Sequence, residues 1–183
     1  GSTEYRRLLA ALFFGGMATF AQLYSPQSVL PLIAGDLGTG AADAALTVSA
    51  ATVGLAVSVL AWAALADRIG RVQAMTISIT AATILGVLVP LAPNSAMLLS
   101  GRFVEGLMLG GVPAIAIAYL TEEVDAGNAA RAAGSYVAGT TIGGLAGRLV
   151  TGPLAEHVGW RMGVLAVAAL CGILLAIQAA DSL

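Results

Sequence analysis

The chain contains no lysine: all eight of its basic residues are arginine. It has one histidine, His157, and one cysteine, Cys171, and only 10% of its 183 residues are charged. Each scarcity removes a class of reading. A single cysteine excludes an intrachain disulfide and, inside an apolar run, reads as a small buried hydrophobe. One histidine and one cysteine make no metal-ligand set, so no metal and no other cofactor is expected. His157 falls in a link, and Ser135 has no evident base, so the pattern does not read as an enzyme. The arginines form no basic patch, and the net charge of −2 gives no sign of a nucleic-acid partner. A soluble domain carries roughly 25% charged residues. This chain is 58% hydrophobic, with a mean hydropathy of +0.92. At this length it cannot bury so much apolar surface in one water-soluble core, so lipid is its expected solvent.

The few charges punctuate long apolar runs. None occurs between Arg7 and Asp36, Asp43 and Asp67, Arg71 and Arg102, or Arg161 and Asp181. About 20 apolar residues cross the hydrocarbon core. The first, second and last gaps each fit one span. Pro90 and Pro93-Asn94 break the third gap near its far end. A third helix is therefore expected over about Val72–Pro90, a fourth over about Ser95–Leu120, and a fifth over about Ala130–Gly152, stopped by Pro153. A sixth covers about Trp160–Ala180. The reading is an all-α membrane protein of roughly six spans with short links. The first run is too long for a cleavable signal peptide and lacks a convincing cleavage site. Gly1-Ser2 reads as a tag scar, and residues 1–4 as an unstructured start. Residues 5–183 read as one transmembrane domain.

An even number of spans puts both termini on one side. That side holds Arg6, Arg7, Arg68, Arg71 and Arg131; the other holds only Arg161. The excess of arginine marks the first side as cytoplasmic. A repeat runs through the links. Leu65-Ala66-Asp67-Arg68-Ile69-Gly70 recurs as Leu154-Ala155-Glu156-His157-Val158-Gly159. The copies are an odd number of spans apart, so they face opposite sides. That is the signature of an inverted repeat of three helices plus three, here about 5–92 and 95–181.

With these residues placed, the chain resembles the amino-terminal half of a major facilitator superfamily transporter. Leu65, Asp67, Arg68, Gly70 and Arg71 match the family's signature between helices two and three, with Ala63 and Val72 departing from it. Arg102, Gly106 and Gly110 match the fourth-helix pattern. Gly139, Gly143 and Gly147 keep the spacing of the antiporter branch's fifth helix, while Gly144 stands at its proline position and Arg148 at its final glycine. Tyr24-Ser25-Pro26-Gln27 through Leu30-Pro31 looks like the first helix of bacterial exporters in the superfamily. The resemblance implies a secondary active transporter in a bacterial inner membrane. Such a protein moves a small solute by alternating access between two six-helix halves. The second half is either an identical copy, making a homodimer joined by helices two and five, or a missing carboxy-terminal half.

Buried ions in a span are costly and mark function. Arg102 and Glu105 lie one turn apart on one helix face. Arg148 lies at a similar depth on the antiparallel fifth helix, so the three are expected to meet. Their formal charge of +1 suits an anionic solute, and Glu105 is the candidate for proton exchange. A static ion pair is the alternative. Gln22, Tyr24 and Gln27 cluster at the Pro26 kink and are candidate solute contacts, or a polar patch that satisfies the kink. Gly106, Gly110, Gly139, Gly143 and Gly147 are expected to pack helices closely. Asp67, Arg68, Gly70, Arg71, Glu122, Glu123 and Arg131 are candidate parts of a cytoplasmic latch. Arg71 would pair with Glu122 or Glu123, and Asp67 would face the start of the fifth helix of the second half, with a topology anchor as the alternative for the link. A structural or channel-like membrane subunit is the alternative function. It needs neither the repeat nor the Arg102–Glu105 pair.

Overall fold

The computed structural model describes residues 2–180, with the side chains of 5–174 other than Glu123 and Ala126. Gly1, part of the expected tag scar, and residues 181–183 lie outside the described residues. Every described element is helical. Helix α1 (Ser2–Tyr24) passes through a 3-10 turn (Ser25–Val29) into the short α2 (Leu30–Leu37). Then come α3 (Ala41–Ile69) and α4 (Arg71–Leu88), the latter extended by a 3-10 turn (Val89–Leu91). Helix α5 (Ser95–Leu109) is followed by α6 (Gly111–Ala118) and a π-helical turn (Tyr119–Glu123). The long α7 (Ala126–Val158) and α8 (Trp160–Ala180) complete the chain. Four described segments are long and apolar enough to cross a membrane: Tyr5–Leu37, Ala41–Ile69, Arg71–Leu91 and Ser95–Glu122. A shorter apolar stretch, Trp160–Leu174, lies in α8.

Two expectations about helix continuity are corrected. The fourth helix was expected to run unbroken to Leu120, but it divides at Gly110. Pro113 has no N–H to give to Leu109 O. Just before the division, Trp62 Nε1 donates to Leu107 O at 2.7 Å and Ser78 Oγ to Met108 O at 2.5 Å. The fifth helix was expected to stop at Pro153, yet α7 continues through it to Val158. Pro153 has no N–H for Leu149 O, but it is exposed, so one bond is lost on the outer face and the helix continues. The true stop is Gly159, at φ +89°. Gly70 ends α3 in the same way, at φ +93°. Each of these glycines donates its N–H to the carbonyl four residues back, Ala155 O and Ala66 O, and accepts from the first turn of the next helix. The two copies of the link repeat are thus two copies of one backbone turn.

Packing buries many small residues beside large ones such as Leu12, Ile33, Leu109 and Ile115, and leaves other large apolar residues outside. Ala51, Ala74, Ala82, Ala116 and Ala132 are fully buried, whereas Leu60 is 82% exposed, Val72 69% and Leu149 62%. That distribution suits a lipid solvent, where close backbone approach replaces hydrophobic collapse. The tightest seams join α1 to α7 and α3 to α5. In the first, Gly139, Gly143 and Gly147 sit against the backbone of Phe13, Met17 and Ala21. In the second, Gly106 sits on Ala51, Gly110 on Leu55 and Ser58, and Gly54 on Phe103. A Cβ at any of these positions would overlap a carbonyl oxygen or a side-chain oxygen. Gly54 stands alone in its helix and has no sequence period to mark it.

These seams make a contrast within α7. A Cβ at Gly143 has no room beside Met17 O, whereas one at Gly134 meets nothing within 4 Å. Gly143→Val is expected to destabilise the protein by about 1–3 kcal/mol through overpacking. Gly134→Ala is expected to be neutral or stabilising by up to about 1 kcal/mol through helix propensity. Thermal unfolding of both variants in mild detergent measures the difference.

Candidate functional site

The site begins with Pro26. Having no N–H, it leaves Gln22 O without its helical donor, and the 3-10 turn likewise withdraws the ordinary partner of Leu23 O. Arg102, from α5, reaches across to both. Its Nη1 donates to Gln22 O at 3.3 Å and its Nη2 to Leu23 O at 2.7 Å. Its Nε donates to Thr47 O of α3 at 3.2 Å. Ser25 Oγ adds a second bond to Gln22 O at 3.1 Å. The remaining contact is to Glu105, whose Oε2 accepts from Arg102 Nη1 at 2.7 Å. Arg102 is 1% exposed and Glu105 2%. A guanidinium with fork geometry suits this work, because it bonds several oxygens in different directions at once.

The second carboxylate oxygen of Glu105 points elsewhere. A Cβ built on Gly86 of α4 would lie 3.3 Å from Glu105 Oε1 and 2.8 Å from Gln22 Oε1. Gly86 therefore leaves room in which two acceptors face the same point. Gln22 Oε1 is buried with no hydrogen-bond partner, while Gln22 Nε2 donates to Thr83 Oγ1 at 3.2 Å. A protonated Glu105 would supply the missing donor, as would a rotated Gln22 amide.

The expected meeting of Arg102, Glu105 and Arg148 does not form. Arg102 is turned into α1 and α3, and no described contact joins it or Glu105 to Arg148. Arg148 lies on α7, half-buried, with its Nε donating to Gln27 Oε1 at 2.8 Å. Its guanidinium carbon stands 4.9 Å from the centroid of the Tyr24 ring. The terminal nitrogens of Arg148 have no acceptor among the described residues. The predicted residues thus form two groups, a sealed Arg102–Glu105–Gln22 group and an open Arg148–Tyr24–Gln27 group.

At the end of the bundle that carries Gly70, Arg71 pairs with Glu122, and its guanidinium carbon lies 5.3 Å from the Tyr119 ring centroid. The side chain of Glu123 lies outside the described residues. Asp67, Arg68 and Arg131 are exposed, and Asp67 lines a cleft of about 490 Å³ beside Gly70 and Gln73. Sequence reasoning missed two groups. Trp62 and Ser78 take the carbonyls beside the Gly110 break, and Asp36 with Trp160 and Arg161 ties the opposite end. Only Arg161 stood out in the sequence, and there as a topology marker. Among the described residues, no group of His, Cys, Asp and Glu could hold a metal ion.

Comparison with known proteins agrees with a helical membrane bundle. The profile of the Major Facilitator Superfamily matches residues 12–180. The chain is 34% identical over 167 residues to the inner membrane transport protein YnfM of Escherichia coli (strain K12), covering 91% of this chain and 40% of that protein. It is 36% identical over 162 residues to the MFS-type transporter YybF of Bacillus subtilis (strain 168), covering 88% and 40% respectively. To a protein named as a transporter in Buchnera aphidicola subsp. Schizaphis graminum it is 33% identical over 164 residues, covering 90% and 40%. The chain therefore spans about 40% of the length of these curated relatives. A profile that matches residues 12–180, nearly the whole chain, establishes that the chain belongs to the Major Facilitator Superfamily.

Proposed function

We propose that the chain is one six-helix half of a secondary active transporter of the bacterial inner membrane, moving a small polar or anionic solute with proton coupling. The observation that carries this reading is the Arg102–Glu105 pair, buried within a segment long enough to span a membrane. An ion pair held there is costly to keep without use. The curated relatives are named as transporters, which supports the same reading.

The bundle is read as six spans: α1 with α2, α3, α4, α5 with α6, α7 and α8. The two triplets relate as an inverted repeat about 5–92 and 95–181. Beyond the matching Gly70 and Gly159 turns, the spacing that carries Gly70 onto Gly159 also carries Gly54 onto Gly143. Gly54 packs on Phe103 O, and Gly143 on Met17 O. The arginine bias places the termini and the Gly70 link in the cytoplasm. A second half, identical or separate, completes the cavity by covering the polar faces of α1 and α7. In a latch at the cytoplasmic face, Asp67 and Arg131 meet that half while Arg71 and Glu122 brace the link.

The two polar groups take separate roles. Arg148, with spare N–H groups beside Tyr24 and Gln27, receives the anionic part of the solute. Glu105 exchanges the proton, and Gln22 Oε1 accepts it when bound. Arg102 positions Glu105, with four of its five N–H donors engaged inside the bundle.

Three measurements test this division. Glu105→Gln keeps an acceptor for Arg102, so the protein should fold normally while proton-gradient-driven uptake into proteoliposomes is lost. Unchanged uptake across the pH range would favour a static ion pair. Arg102→Ala strands a buried carboxylate and the Leu23 carbonyl, so thermal unfolding should show a loss of about 3–5 kcal/mol. Arg148→Ala should leave stability nearly unchanged but weaken binding of small carboxylates by about tenfold or more, read as lost ligand-induced thermal shifts across a carboxylate panel.

A further inference from the structure

At the end of the bundle opposite Gly70, one arginine joins three elements. Arg161, in the first turn of α8, pairs through Nη2 with Asp36 Oδ2 of α2 at 2.9 Å. Its Nη1 donates to Pro90 O at 2.6 Å and Ala92 O at 2.8 Å, carbonyls left open where the chain leaves α4. The buried Trp160 donates Nε1 to the same Asp36 Oδ2 at 3.0 Å, and its ring centroid lies 4.5 Å from the Arg161 guanidinium carbon. An isolated half-exposed ion pair contributes little. Here a single guanidinium is held by three oxygens and an aromatic face.

The segment so held is short and separable. Helix α2 has only 8 residues and is cut from α1 by the 3-10 turn at Ser25–Val29. That turn carries Gln27, which contacts Arg148, and Ser28, which faces Gly152. Whatever fixes α2 fixes the orientation of this turn against α7.

We propose that Asp36, Trp160 and Arg161 form a positioning lock that ties α2 to the ends of α4 and α8 and so keeps Gln27 seated on Arg148. The opposite end supports this from an independent observation. Arg71 follows its glycine link, pairs with Glu122 and stacks on Tyr119, just as Arg161 follows Gly159, pairs with Asp36 and stacks on Trp160. The spacing that carries Met17 onto Phe103 also carries Asp36 onto Glu122. Each triplet thus ends its first span on an acid that a post-glycine arginine holds over an aromatic ring. The importance of the lock for solute binding rests on the transport reading; its geometry does not.

The test reads geometry alone. A Cβ at Gly152 would lie 3.7 Å from Ser28 Cβ, a separation that a disulfide spans. The full chain, carrying Ser28→Cys and Gly152→Cys with Cys171→Ser, is reconstituted in lipid nanodiscs, and disulfide formation with copper phenanthroline is timed by gel mobility. The disulfide should form readily in this parent. Asp36→Asn should slow it by about fivefold, and Arg161→Lys, which keeps charge without the fork, should slow it too. Glu122→Gln, the same chemistry at the other end, should leave the rate within about twofold. No disulfide in the parent would overturn the proposal. So would equal rates in the parent and both lock variants, or equal slowing by Glu122→Gln. Uptake is not measured, so failure of the transport reading would leave this result standing.

Discussion

A backbone carbonyl released by a proline has no water to turn to inside a bilayer, and the rest of this bundle is arranged around that constraint. Pro26 opens Gln22 O and Leu23 O near the middle of the first helical pass, and Arg102 closes both. Pro113 opens the fourth pass, and Trp62 and Ser78 take the neighbouring carbonyls there. In each case the donor comes from another helix. The breaks therefore act as fastening points: a helix that has lost its own bond gains one to its neighbour. Satisfying Arg102 in turn requires Glu105, Thr47 O and the turn of α1 to stay in register.

Close approach supplies the second half of the arrangement. Arg102 can reach α1 and α3 together only because Gly106 lets α5 lie directly on Ala51. The fully buried alanines keep the interior thin, while exposed aliphatic side chains such as Leu60, Val72 and Leu149 are left for lipid. Cohesion here comes from backbone proximity and a few charge-assisted bonds together with clusters of buried apolar side chains such as Val29, Ile33, Leu98 and Val164.

Much of this was legible in the sequence, for definable reasons. Gly70 and Gly159 were visible because a glycine beside charges between apolar runs marks a turn, and the structure gives both a positive φ. Arg102 and Glu105 were visible because a charge in an apolar run has few benign explanations. Their partners were not visible, since backbone carbonyls carry no residue identity. The separation of Arg148 from Arg102 could not be read from depth alone: two arginines at one level can face different neighbours, and the facing was set by Gln27, 121 residues away. Pro153 misled because a proline signals a break by local rules, whereas α7 passes through it and ends at glycine. Asp36 was hidden because an acid at the end of a run reads as a boundary, and nothing local points it toward Arg161.

The permanence of the Arg102 charge has an electrical consequence. Its guanidinium is fixed by three carbonyls as well as by Glu105, so it stays in place whichever protonation state the carboxyl adopts. In the coupling role proposed for Glu105, uptake of a proton therefore takes the pair from neutral to a net positive charge held within the low-dielectric interior. A membrane potential acts on such a charge with about 2.3 kcal/mol per 100 mV for a full crossing. The depth of the pair then sets what fraction of the voltage each proton feels on its way in, and what fraction remains on its way out. The same arginine that repairs a broken helix would make the protein a voltage-sensitive one.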